Sequence, residues 1–424
     1  MAFRAGFAEV DITPALGCQK AGWIQPIMVD RIRDPLSARV AVFESGDTRI
    51  GFVAMDVLSV RWTQVVQIRE AAARAGVPGE NVMVTATHSH GGPAVVDLGL
   101  VKRDEAYLET MVARIGDAFQ QAANNLTAAS VAFGVGSEGR FSFIRRCHMR
   151  DGSVKTHPAP GNPEIICQQG VIDPRLGTIA VKDAAGVMRG MIVSFTCHPT
   201  EQGGNTSISA DWPGETARFI KRAFGDQCVP LIVNGAFGDI SPAGPLNPNT
   251  HDMVDMGRAL ANQIAGNLRE AAFTDELPLT VDARDVKLPY RDLDGPHGRD
   301  HKWRQRFGGK YSEQYYESSI VKLREKIAAR PYAPAQIQTI RLGADHAMVA
   351  IPGEFFSCLG FEIKKRSAVP HTWIAGAANG MVGYLPDRLS HDLGGYETTL
   401  ALSSKLAVGA GETLVETAVE MLQG

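Results

Sequence analysis

The sequence predicts an α/β protein: mixed β-sheets flanked by helices, with the active site in loops at strand ends. Three observations carry this expectation. Short apolar runs alternate with segments of helical spacing along the 424 residues. The first runs are separated by turn-like residues, which makes them antiparallel neighbours. Several later runs stop abruptly at polar, glycine-containing loops, which is how a rigid sheet delivers side chains to a site at its edge.

Taken in order, Ala5 to Asp11 alternates loosely and ends at Thr13-Pro14. Arg39 to Glu44 and Ile50 to Asp56 are strands around the turn Ser45-Gly46-Asp47. Thr63 to Ala75 has helical spacing and stops at Gly76, as does Glu105 to Ala123 with Leu108, Met111, Ile115 and Phe119 on one face. Between them lies NVMVTATHSHGGP, residues 81–93, a buried strand that ends in two histidines and two glycines. Ser130 to Val135 is a strand, followed by a basic loop from Glu138 to Asp151 that contains Arg145 and Arg146. Leu176 to Val181 and Val187 to Thr196 form a hairpin that ends at Cys197-His198-Pro199. A helix begins at Asp211-Trp212-Pro213, Val229 to Val233 is a short buried strand, and Met253 to Ala271 is helical.

Residues 284–336 change character, becoming charged, aromatic and polar, with a solvated helix from Ser312 to Ala329. They read as an insertion or lid on a single domain spanning 1–424. Strands resume at Ile337 to Leu342 and Ala347 to Ile351, then a helix from Phe355 to Arg366, a strand from Thr372 to Ala375, and a closing segment that ends in a helix. No internal sequence repeat is visible.

Composition excludes several function classes. The residues are 44% hydrophobic and 21% charged, ordinary for a globular protein. A formal charge of -3 exerts no pull toward nucleic acid or anionic membrane. The six cysteines are scattered without a CxxC pair, against a disulfide framework or a zinc knuckle. No run approaches the roughly 20 apolar residues of a membrane span. MAFRAGFAEVDITP carries no targeting pattern, so a cytoplasmic location is expected. The expected partner is a small-molecule substrate, with no nucleic acid, no stable membrane insertion, and homo-oligomerisation left open.

The strand ends carry the candidate chemistry: His88 and His90, His198, Ser241 with Asp239, Glu354 and, a few residues late, Tyr384. Paired loop histidines serve as zinc ligands or as caps for backbone groups. Glu354, after Pro352-Gly353, is a ligand, a base, or an acid placed at a helix N-terminus. Ser241 lies outside a GxSxG elbow and reads equally as a turn serine. Arg145 and Arg146 read as an anion-binding pair or as solvated cations.

Together these pieces resemble one family, the catalytic domain of the neutral (neutral/alkaline) ceramidases, zinc-dependent amidases that cleave an N-acyl bond. The matching stretches are DITP, the Asp56 strand, ATHSHGGP, CHPT, SADWPG, NGAFGDISP, AIPGEFF and NGMVGY, in the family's order from residue 11 to about 400. The resemblance implies a Zn2+ held by His88, His198, Glu354 and Tyr384. It implies that Ser241 matches a serine once assigned as nucleophile, and that His90 and Arg145 line the site beside the substrate. His90 is then a proton shuttle, and Arg145 or Tyr384 stabilises the oxyanion.

The chain departs from the family pattern at Ala243 and Ile144, where asparagines are expected, and in the polar character of 284–336. The expected function is therefore zinc-dependent hydrolysis of a small amide, lactam or related ester or lactone by metal-activated water. The alternatives are a true ceramidase, or a metal-independent serine esterase using Ser241.

Overall fold

The computed structural model describes residues 2–246, 251–306 and 310–424, and the α/β class is observed. The chain uses one supersecondary unit three times: three antiparallel strands, a helix, a strand parallel to the third, and a second helix. Unit one is β1 (Phe3–Asp11), β2 (Ser37–Ser45), β3 (Thr48–Met55), α1 (Trp62–Arg74), β4 (Val82–Ala86) and α2 (Glu105–Asn124). Unit two is β5 (Thr127–Ser137), β6 (Arg175–Asp183), β7 (Met188–Phe195), α3 (Asp211–Phe224), β8 (Val229–Asn234) and α4 (Met253–Asn267). Unit three is β9 (Leu279–Pro289), β10 (Tyr332–Leu342), β11 (His346–Ala350), α6 (Ser357–Arg366), β12 (His371–Ala375) and α8 (Ala410–Gln423). It carries two extra helices, α5 (Lys310–Ala329) between β9 and β10, and α7 (Arg388–Leu393) before α8.

Strand directions repeat in all three units. So does the chemistry of one turn. The hairpin between the second and third strands contains a glycine at positive φ each time: Gly46 at 57°, Gly186 at 79° and Gly343 at 72°. Only glycine enters that region without a steric cost from Cβ.

Units one and two join through β1 and β5 into an eight-stranded sheet, ordered β8-β7-β6-β5-β1-β2-β3-β4. Unit three forms a separate sheet, β9-β10-β11-β12. The two sheets pack face to face through Phe3, Phe43, Phe52, Ile179, Leu231, Ile340, Met348 and Trp373. Helices cover the outer faces. Ile68, Met111, Ile115 and Phe119 of α1 and α2 pack on β2 to β4, α3 and α4 pack on β6 to β8, and α6 and α8 pack on unit three. The result is four layers, helix, sheet, sheet, helix, and each strand of β10 and β11 serves both interfaces by its two-residue alternation.

Helix starts follow local chemistry. Asp104 caps α2 by accepting from Tyr107 N–H, and Asp252 caps α4 by accepting from Val254 and Asp255 N–H. Residues 284–289 and 332–336 are strand, paired without a break, so the segment between the two strands is 290–331. The charged look of this stretch comes partly from β9 being an edge strand, where Arg284, Asp285 and Lys287 face solvent. Phe355 is not helical but pairs with Leu385, and α6 begins at Ser357. Among the described residues no helix is long and apolar enough to cross a membrane.

Candidate metal centre and active site

In every unit the third and fourth strands are parallel, so their carboxyl ends emerge side by side. Backbone hydrogen bonds draw the three pairs together. Ala86 N–H to Ala377 O and Asn379 N–H to Val84 O join units one and three; Gly376 N–H to Asn234 O and Gly238 N–H to Phe355 O join units two and three. The buried Asn234 side chain closes the ring, donating to Thr87 O and Cys197 O and accepting from Cys197 N–H.

His88 leaves β4 with φ 67°, a conformation that costs a non-glycine residue about 1–3 kcal/mol. Its Nδ1 lies 2.7 Å from Leu58 O, an acceptor, so Nδ1 carries the proton and Nε2 presents a lone pair. The ring packs on buried Phe237, with centroids 4.7 Å apart. His88 Nε2 and Glu354 Oε2 face each other at 3.5 Å, and each is buried without a hydrogen-bond partner among the described residues. Two opposed acceptors left so are costly unless a cation lies between them. His198 Nε2 is 3.9 Å from the same carboxylate oxygen, and His90 Nε2 is 3.2 Å from His198 Nε2. The ring nitrogens of His88, His90 and His198 lie within 4.8 Å of one another.

Two donors bound at about 2.1 Å to one tetrahedral zinc stand about 3.4 Å apart. The 3.5 Å and 3.2 Å separations match such edges, so the donor set fits a zinc-sized ion. Burial, with help from Arg145, holds the His198 imidazole well below its usual range. Burial, with help from His88, does the same for His90. Neutral imidazole is the metal-binding form.

Arg145 and Arg146 share one carboxylate and then diverge. Arg145 donates to Glu397 Oε1 at 2.8 Å, Gly238 O at 2.7 Å and Tyr384 Oη at 3.1 Å, with Nη1 3.2 Å from His198 Nδ1. Arg146 donates to Glu397 Oε2 and Gly394 O, both at 2.7 Å, and to Gln169 Oε1 at 2.9 Å. Arg145 is therefore the arginine at the centre, and Arg146 secures the wall behind it. Glu397 is buried, which alone would raise its carboxyl, but the two guanidiniums win and hold it at about 2.

Tyr384 pairs with Glu354 across two short parallel strands, and burial pushes its phenol well above the usual range. Asp239 accepts from Ser357 N–H and Oγ–H, each at 2.8 Å, and so caps α6 just beyond Glu354. Ser241 is buried opposite Phe143, and its hydroxyl accepts from Ala243 N–H at 3.0 Å, as a turn serine does. Among the described residues, none of the three clustered histidines hydrogen-bonds to it.

The roof comes from the long connection between the first and second strands of each unit. Residues 12–36 bring Lys20, buried, donating to the carbonyls of Gln202, Asn205 and Ser207. In the same connection Gly22 sits so close that a Cβ there would lie 2.2 Å from His90 Nδ1. Residues 138–174 bring Arg145. The 290–331 connection brings Tyr315 and Tyr316 of α5, which pack with Ala401 against Ile24 and Leu98. Tyr315 Oη lies 3.1 Å from Ser403 Oγ, and the Tyr396 ring lies 5.7 Å from that of Tyr384.

Glu397, Phe237, Asn234, Lys20 and the tyrosines of the roof are absent from the sequence-derived set. Phe237 and Asn234 stand inside the NGAFGDISP stretch, and Glu397 follows the pair Gly394-Gly395, so a signal existed for these three. Lys20 and the tyrosines gave none.

No protein-family model matches the chain. Over 291 residues it is 27% identical to the neutral ceramidase of Pseudomonas aeruginosa, a match that covers 62% of this chain and 40% of that protein. The matched stretch is thus well under two thirds of the relative's length. The fold is similar to that of the crystal structure of neutral ceramidase from Pseudomonas aeruginosa, with a TM-score of 0.75 at 22% identity over all of this chain and 74% of that one. A structure described as ceramidase complexed with C2 gives 0.75 at 20% identity, covering 75% of that chain.

Proposed function

We propose that this chain, similar in sequence and fold to neutral ceramidases, is a zinc-dependent hydrolase of amide-type carbon–nitrogen bonds. One observation carries the reading: the lone pair of His88 Nε2 and Glu354 Oε2 face each other, buried and without a donor among the described residues, beside the nitrogens of His198 and His90. His88, His198 and Glu354 would hold the ion. When bound, zinc would supply a polarised carbonyl and a water whose pKa falls toward ~7.

The chain's own groups supply the rest. Arg145, fixed by Glu397 and Gly238 O, donates to the Tyr384 hydroxyl. That hydroxyl keeps its own proton, which it can donate to a carbonyl oxygen as negative charge develops there. The roof places the rings and hydroxyls of Tyr315 and Tyr396 beside the centre, which supports a short or planar acyl group over a long saturated chain.

The resemblance gives the fourth ligand position to Tyr384. The 3.2 Å between His90 Nε2 and His198 Nε2 favours His90 for that place, with the Tyr384 hydroxyl accepting from Arg145 instead. His90→Ala is then expected to weaken zinc affinity by ~10-fold or more, at least the cost of losing a ligand's supporting contact. Tyr384→Phe is expected to keep zinc and slow turnover. Competition titration with a chromogenic chelator checks both, and the reverse ranking returns Tyr384 to the ligand set.

The reaction is tested by metal analysis and by hydrolysis of N-acyl amides of graded chain length, lactams, lactones and ceramide. Stoichiometric zinc and loss of turnover on chelation are expected, with short substrates preferred. Full activity in chelator overturns the metal reading, and a steady gain with acyl length up to ceramide overturns the small-substrate reading. Ser241→Ala is expected to retain turnover, and labelling of Ser241 by a fluorophosphonate would instead support a serine esterase.

A further inference from the structure

A cleft of ≈ 340 Å³ lies away from the metal centre, between the start of α1 and the edge strand of unit three. It is of the size that holds small ligands. Trp62 forms one wall, 43% exposed, and is backed by the Arg69 guanidinium 5.6 Å from its ring. Arg69 is itself anchored on Val82 O and Gln336 Oε1, so the indole is a fixed plate.

Three cations line the same cleft: Arg61, Lys287 and Arg330. Among the described residues none of them forms an ion pair. Lys287 and Arg330 instead crowd one ring, 5.2 and 5.5 Å from the centroid of Tyr332, while Arg61 bonds Thr63 Oγ1. The one lining carboxylate, Asp285, accepts from the Gln336 amide. A concave surface with a fixed aromatic plate and excess positive charge selects for a ring bearing an acidic group.

We propose that this cleft is a binding site for a small aromatic anion, its ring against Trp62 and its acidic group between Lys287 and Arg330. The floor ties the site to the metal centre. Val382 N–H donates to Pro352 O, and two residues further along these segments lie Glu354 and Tyr384, paired with each other. A ligand here would rest on the back of the loops that carry two residues of the centre.

The test is calorimetric titration of the full zinc-loaded chain with naphthalene-2-sulfonate, with inorganic sulfate and 2-naphthylmethanol as the charge-only and ring-only controls. One saturable site is expected. Binding should weaken by ~10-fold, about 1.4 kcal/mol, or more in Lys287→Glu/Arg330→Glu and in Trp62→Ala. Each control should bind at least as much more weakly. Circular dichroism and zinc content report whether the variants are folded, and Lys287→Gln/Arg330→Gln replaces the charge reversal if they are not. No saturable binding, unchanged affinity in the folded variants, or sulfate binding as well as the naphthalene sulfonate would each overturn the proposal. None of these outcomes depends on the reaction proposed for the metal centre.

Discussion

Changing His88 to alanine is expected to empty the metal centre and abolish turnover, and changing Glu354 to alanine to do the same. The two side chains are the opposed, buried acceptors of the site, 3.5 Å apart. Removing either would take away one of the donors proposed to hold the ion. Losing a supporting contact to a metal ligand costs 10- to 100-fold in affinity or activity, so losing the ligand should cost more than ~100-fold. The His88 imidazole is also held in place at a cost, by a left-handed backbone that only a fixed partner justifies. Zinc content after dialysis, measured together with kcat/KM, checks the pair. Near-normal zinc in both variants would remove the centre from this position.

The α/β class was legible in the sequence because its signals are local. Apolar alternation, helical spacing and turn glycines each need only a few neighbours to be read. The strand ends were legible for the same reason, since a run such as NVMVTA stopping at THSHGGP marks its own boundary. What was not legible is that three units share one topology. The segments after corresponding strands carry unrelated residues at different distances: Asp56, His198 and Glu354 follow the third strands, while His88, Ser241 and Tyr384 follow the fourth. Hairpin and crossover repeat, but side chains do not, so no sequence period exists to find.

Long-range partners were equally hidden. Arg145 and Arg146 are adjacent cations that a local reading leaves as an anion-binding pair or as solvated side chains. Their carboxylate stands more than 250 positions away. The edge strand β9 misled for a different reason. Its exposed charges protect an open edge from pairing with another chain, and the same charges look like a surface excursion. The roof follows from the three units in a way that no single connection announces. Each first-to-second-strand connection starts on the side of the sheets where the parallel strands end, so insertions there cover the centre.

Glu397→Gln is expected to be the most destabilising single change near the site. The carboxylate accepts from Arg145, Arg146 and Thr156 Oγ1, and all three side chains are buried. Neutralising it breaks the buried ion pairs of both guanidiniums, leaving Arg145 only the charge of Glu354 among the described residues. Removing one partner of a buried pair costs about 3–5 kcal/mol.

The pH dependence has a definite sign. The carboxyl is held at about 2 in the folded chain against an ordinary value of 4.5, so its contribution is present above pH 4.5. It is lost as pH falls from 4.5 toward about 2, where the folded group takes up its proton. Urea unfolding should therefore separate the parent chain from the glutamine variant most widely near neutral pH, with the gap closing through that acid window. A gap that is absent at neutral pH, or that stays constant down to pH 3, would mean that the Arg145–Glu397–Arg146 group does not behave as a buried ionised cluster. The same variant links stability to chemistry, because Arg145 loses the contact that aims it at Tyr384 and His198. Its kcat should fall even where the protein remains folded, while its zinc content, set by His88, His90, His198 and Glu354, should not.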